Sequence, residues 1–126
     1  MTKPPALTPE QRQKALEKAA TARRVRAEVK EKLKIGSLTL EELFEQADRG
    51  DETATMLSKL KVISILESLP SVGKVNARRL MAALSIKESR RLGGLGRKQR
   101  EGLLGAQDPE VRRRLIADQR AGETAS

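Results

Sequence analysis

The sequence predicts an all-α protein on three observations. Apolar residues recur every three or four positions in successive segments, helix-start signatures punctuate those segments, and no stretch alternates polar and apolar residues as a half-buried strand would. At 126 residues, 37% hydrophobic and 34% charged, the chain has room for one small core with arms or tails and not for a second independent domain.

The first helix should open at Pro9, where Thr8 and Gln11 form a capping box and proline occupies the first helical position. Ala15, Ala19, Ala22, Val25, Val29 and Leu33 then form one narrow stripe, and Gly36 supplies a stop, giving a helix about 39 Å long. The stripe is mostly alanine in its first half, so residues 1–36 read as a basic helical arm of which only the C-terminal half can dock. Its cations Arg23, Arg24, Arg26 and Lys30 offer a second contact surface for a polyanion. Thr39 to Glu42 is another capping box, with Leu38 and Leu43 spaced as a hydrophobic staple. That helix fades near Asp48, and residues 37–58 read as an acidic helical connector carrying Glu41, Glu42, Glu45, Asp48, Asp51 and Glu52 against the single cation Arg49. A carboxylate metal site is not expected there, because helical spacing spreads these side chains around the surface.

Val62, Ile65, Leu66 and Leu69 have the spacing of a core-facing helix ended by Pro70. A tight turn, LPSVGK, leads to a helix over 75–84, then a glycine-containing loop and a helix over 97–104. Residues 59–105 therefore read as the folded domain and 106–126 as an extension. In that extension Asp108 and Pro109 start a short helix through Leu115, and the remainder is expected to be disordered.

Composition narrows the chemistry. Lysine and arginine number 26 against 17 acids, a net charge of +9 that calls for a polyanionic partner. With neither cysteine nor histidine, the chain has no thiol or imidazole chemistry and no Cys/His zinc site, so neither enzyme activity nor a cofactor is expected. Phe44 is the lone aromatic, whereas readers of single strands stack bases on several aromatic faces, and double-stranded DNA becomes the favoured partner. No run approaches 18 apolar residues and the N-terminus lacks an apolar signal-peptide core, so no membrane partner and a cytoplasmic location are expected.

The charges at helix starts follow a pattern. Three predicted helices begin with acids, which suit the helix dipole, whereas the starts at Lys74 and at Arg97 and Lys98, with Arg100 close behind, carry cations where they are least favoured. A phosphate there would accept the free amides and neutralise the cations together. Gly73 allows backbone amides in the first of these turns to approach an anion closely.

The order helix, Leu69-Pro70-Ser71-Val72-Gly73-Lys74, helix, Arg90-Arg91-Leu92-Gly93-Gly94-Leu95-Gly96, behind the helix ALEKAATARRVRAEVKEKLK, resembles the actinobacterial integration host factors. The resemblance spans most of residues 7–104. It implies a long N-terminal helix followed by a helix-two-turns-helix domain, and a nucleoid-associated protein, monomeric in free solution, that binds duplex DNA with little sequence preference. It further implies bending or compaction of DNA and assistance to phage integrase. By matching position it puts phosphate contacts on Ser71, Val72, Gly73 and Lys74 and on Arg90 and Arg91, and Gly94 in the same turn is a further candidate DNA contact. Gly93 stands where the family carries a third arginine, and Ser71 where lysine is common.

Two rival readings accompany this one. The same fold serves in a ribosomal protein, so structured RNA is the alternative ligand. A DNA glycosylase or lyase would use Lys74 as a Schiff-base amine, but such an amine needs a carboxylate beside it, and the next acid along the chain is Glu88.

Overall fold

The computed structural model describes residues 6–70 and 72–125, with side chains described as far as Gln119; Ser71, one of the expected contact positions, lies outside the described residues. Among them are seven α-helices, a single 3-10 turn and no strand beyond one isolated bridge. The helices are α1 (Pro9–Lys34), α2 (Leu40–Ala47), α3 (Glu52–Ser58), α4 (Val62–Ser68), α5 (Gly73–Ala83), α6 (Arg97–Gly105) and α7 (Pro109–Ala125), with the 3-10 turn Leu92–Gly94 before α6.

Local signals form the helix ends as expected. The Thr8 hydroxyl accepts from Gln11 N–H at 3.1 Å and the Gln11 side chain accepts from Thr8 N–H at 3.0 Å, so two amides that would otherwise lack partners are satisfied reciprocally. At the other end of α1, Ser37 N–H reaches Lys32 C=O at 2.9 Å and Gly36 N–H reaches Leu33 C=O at 3.3 Å, the paired bonds of a Schellman motif with Gly36 at φ 80°. Thr39 and Glu42 repeat the capping box on α2, and the staple residues Leu38 and Leu43 are both buried.

Packing divides α1 in two. Residues 9–20 are exposed throughout, Val25 is half-buried, and Val29 and Leu33 enter the core, where α1 lies against α3 and α4. The core itself joins Leu33, Leu43, Leu57, Ile65, Leu66, Leu80, Met81 and Leu103, each at most 1% exposed. Each such side chain contributes about 1.5–3 kcal/mol through burial. Phe44 is buried too, beneath the Arg100 guanidinium at 5.0 Å, so the lone aromatic serves packing and a cation–π contact and presents no face for a base.

Three boundaries differ from expectation. The connector contains a second helix, α3, whose cap Asp51 accepts from Ala54 N–H at 2.7 Å; seven residues are too few for periodicity to declare it. The helix α5 begins at Gly73, ahead of the expected 75. Most of all, α7 continues to Ala125 instead of ending at Leu115 in disorder. Ile116, Ala117, Gln119, Arg120 and Ala121 are adequate to strong helix formers, and α7 lies against α5 with Leu115 packed on the core. No described helix is long and apolar enough to cross a membrane.

Candidate nucleic-acid interface

The first turn is shaped by Pro70 and Gly73. Leu69 leaves α4 extended, Val72 is buried as the anchor of the turn, and Gly73 takes φ 76°, a left-handed conformation that side chains other than glycine rarely adopt. A Cβ on Gly73 would meet nothing within 4 Å, so the backbone angle and not crowding requires glycine, and the front of the turn is open. Among the described residues no side chain caps the start of α5, no acid stands in its first turn, and Lys74 there is exposed.

The second turn is stitched to the start of α4. Val62 N–H donates to Arg90 C=O at 3.0 Å and Leu92 N–H to Leu60 C=O at 2.8 Å, a short antiparallel bridge that sets Arg91 beside Lys61. The Arg91 guanidinium donates to Lys59 C=O at 2.7 Å, and that of Arg90 to Gly94 C=O at 2.9 Å. Each arginine is thereby held in one orientation while keeping further N–H groups for a ligand. A Cβ on Gly94 would lie 3.2 Å from Arg90 Cδ, so glycine leaves room for that side chain to fold over the turn. Gly93 sits tighter still, where a Cβ would come 2.8 Å from Ser58 Cβ and 3.2 Å from Ser58 C=O. The absence of a third arginine is a packing condition in this chain: any side chain at 93 must first displace the end of α3.

The start of α6 is built differently. Gln99 accepts from Gly96 N–H at 2.9 Å and donates to Ser85 C=O at 3.0 Å, which ties it to the C-terminal end of α5, the end far from Lys74. Arg97 pairs with Glu101 at 3.2 Å with 92% of its side chain exposed, and Lys98 is exposed. Arg100 is no ligand group: it bonds both carboxylate oxygens of Asp48, at 2.8 and 3.0 Å, and covers Phe44. Of the three cations at this helix start, one is structural.

The two contact surfaces expected from the sequence meet at α1. A concavity of about 520 Å³ runs from Gly73 and Lys74 past Ser64 and Ser68 to Lys30 and Lys34, and one of about 250 Å³ continues from Lys30 and Ser64 to Arg26, Lys59, Lys61 and Arg91. Arg26 and Lys30 thus share a face with the two turns. Arg23 continues the Arg26 and Lys30 row along the exposed helix, whereas Arg24 lies about 200° round the axis from Arg26. Neither concavity is lined by Arg97 or Lys98. Lys34, Lys59, Lys61 and Ser64 escaped sequence reasoning. The spacing of Lys30 and Lys34 and the flanking of buried Leu60 by two exposed lysines are the signals that carry them. No group of three or more potential metal ligands occurs among the described residues.

The arrangement defines a helix-two-turns-helix protein, and residues 33–106 match the family model described as the S13-like H2TH domain. Over 95 residues the chain is 54% identical to the integration host factor of Streptomyces coelicolor, covering 75% of this chain and 85% of that one. It is 52% identical over 100 residues to the integration host factors of Mycolicibacterium smegmatis and Mycobacterium tuberculosis, covering 79% of this chain and 91% of each. A solved structure of sIHF bound to an 8-bp palindromic DNA aligns with a TM-score of 0.64 at 48% identity, over 70% of this chain and 94% of that one. The chain belongs to the integration host factor family. These relatives are named for a host factor.

Proposed function

We propose that this protein is a nucleoid-associated factor that binds duplex DNA through its phosphates, with little sequence preference. The observation that carries the reading is the predominantly cationic face on which Lys74, Arg91, Arg26 and Lys30 line two concavities joined at Lys30 and Ser64, with the acid Glu67 in the wall of the larger one. Phosphate contacts give affinity without base information, and no cluster of Asn, Gln and Arg on this face suggests base reading. The solved relative with DNA bound supports duplex as the ligand. Val72 anchors the first turn, Gly73 and Lys74 present amides and an ammonium to a phosphate, and Arg90, Arg91 and Gly94 form the second contact. Ser71 completes the first turn by its position in the sequence. Arg97 and Lys98 form a further contact at the start of α6, and Arg23 extends the α1 row.

A face that runs from α1 across both turns would bend or compact the duplex it holds, and through that bending a protein monomeric in free solution would assist integrase-mediated recombination. The nucleoid is where such a protein works.

A titration against duplex DNA, single-stranded DNA and structured RNA over a range of salt tests the reading. With about 4–8 phosphates neutralised, log K for duplex should fall against log salt with a slope of roughly −4 to −7. A flat response, or a strong preference for one short sequence, rejects it. The S13-like description of the matched domain makes structured RNA the specific rival, and tighter RNA binding at matched salt would select it.

A further inference from the structure

Five exposed cations line the 250 Å³ cavity between the middle of α1 and the segment 59–61: Arg26, Lys30, Lys59, Lys61 and Arg91, with Ser64 also in its wall. Among the described residues no acid lines it and none of the five forms an ion pair. Like charges gathered in a concavity focus the field and raise the local anion concentration. Arg91 is already oriented by its 2.7 Å bond to Lys59 C=O, so the wall is partly organised before any ligand arrives.

A duplex passing over this wall engages it one phosphate at a time. Its phosphodiesters carry one charge each and are spread along the strand, so one that enters the cavity leaves most of the positive charge uncompensated. A compact polyphosphate brings three or four negative charges into the same small volume and has acceptor oxygens for several charge-assisted bonds. The cavity has no aromatic side chain in its lining, so nothing there stacks on a nucleobase.

We infer that this cavity binds the phosphate chain of a small polyphosphate, free or carried by a nucleotide, and that its occupancy competes with DNA. The competition rests on the DNA-binding reading above, since Lys30 and Ser64 belong both to the cavity and to the groove that reaches Gly73 and Lys74. Binding of the phosphate chain itself does not depend on that reading.

The test is calorimetric titration of the full-length protein at about 0.15 M salt, where weak surface attraction is screened beyond roughly 8 Å. The probes are inorganic tripolyphosphate, ATP, orthophosphate and adenosine. Tripolyphosphate and ATP should bind saturably with one molecule per chain and similar affinity, orthophosphate much more weakly, and adenosine not at all. Lys59→Gln with Lys61→Gln should weaken tripolyphosphate by about tenfold or more, the loss of two charge-assisted contacts on an exposed wall. Arg26→Gln should act in the same direction, which guards against a folding defect in the double variant.

Arg12→Gln with Lys14→Gln removes the same charge from the exposed part of α1 and should leave the isotherm unchanged. Equal weakening by both double variants would mean general attraction to a +9 protein and would overturn the inference, as would ATP binding without tripolyphosphate binding or no saturable binding. In a parallel arm, tripolyphosphate should displace a fluorescent duplex from the native chain and from the Arg12 and Lys14 variant; a bound duplex that is not displaced overturns the competition. If no duplex binds while the isotherm stands, the DNA reading fails and the cavity's ligand is unaffected.

Discussion

The starts of α5 and α6 look alike in the sequence and differ in three dimensions. Each follows a glycine-containing turn and each carries cations where the helix dipole favours acids. Lys74 opens onto a groove shared with Lys30 and Lys34 of α1, a helix some forty residues earlier, and the neighbouring cavity adds Arg91. Arg97, by contrast, is paired with Glu101 one turn on, and Arg100 is spent on Asp48 and Phe44. A cation at a helix start belongs to the main ligand surface when other elements bring further unpaired cations to it, and makes a weaker, peripheral contact when its own helix supplies an acid that competes for it.

The comparison breaks most directly on duplex affinity. Lys74→Glu with Arg91→Glu should weaken binding by about a hundredfold near 0.1 M salt and flatten the salt slope by about two units, because each lost phosphate contact is worth about tenfold there. Filter binding or fluorescence anisotropy across a salt series reads both quantities. An unchanged slope would remove the joined face from the interface.

Arg97→Glu with Lys98→Glu should cost less, about tenfold in affinity. Acids suit the start of α6 by about 0.3–1 kcal/mol each, offset by about 0.2–0.5 kcal/mol from the new like-charge pair with Glu101, so the melting temperature should hold or rise slightly. A loss of affinity as large as that of the first pair would make the two helix starts equivalent. A fall in thermal stability with affinity spared would assign both cations to the fold.

Arg100→Ala separates the structural cation from its neighbours. It should destabilise the fold by about 1 kcal/mol through loss of the partly exposed Asp48 pair and the Phe44 contact, and leave the salt slope of DNA binding unaltered. Chemical denaturation checks the first part, and a flattened slope would contradict the second. The smallest expected effect on folding belongs to removal of residues 1–20, which should change stability by no more than about 0.5 kcal/mol because the described part of that segment is exposed. The truncated protein should still bind duplex through the joined face but bridge or compact DNA less well. Undiminished compaction would leave the first half of α1 without a role on DNA.

The sequence by itself determined the features that arise within a few residues. The capping boxes at Thr8 and Thr39, the staple of Leu38 and Leu43, the stop at Gly36 and the core-facing spacing of Val62, Ile65 and Leu66 were all legible, because capping and periodicity act over one to three turns. The motifs of the two turns carried the family likeness for the same reason. Short α3 was not legible, since seven residues carry too little periodicity, nor was the length of α7, whose docking on α5 is a tertiary contribution.

Only the tertiary structure decided which cations act together. The bridge of Lys61 with Arg91 brings residues thirty apart in the chain side by side, and the docking of Val29 and Leu33 carries Arg26 and Lys30 to the same wall. It likewise decided that Gly93 answers to Ser58 and that Arg100 answers to Asp48. Charge and helix-start signals are written residue by residue, whereas a shared ligand surface depends on long-range packing of a core that no local pattern encodes.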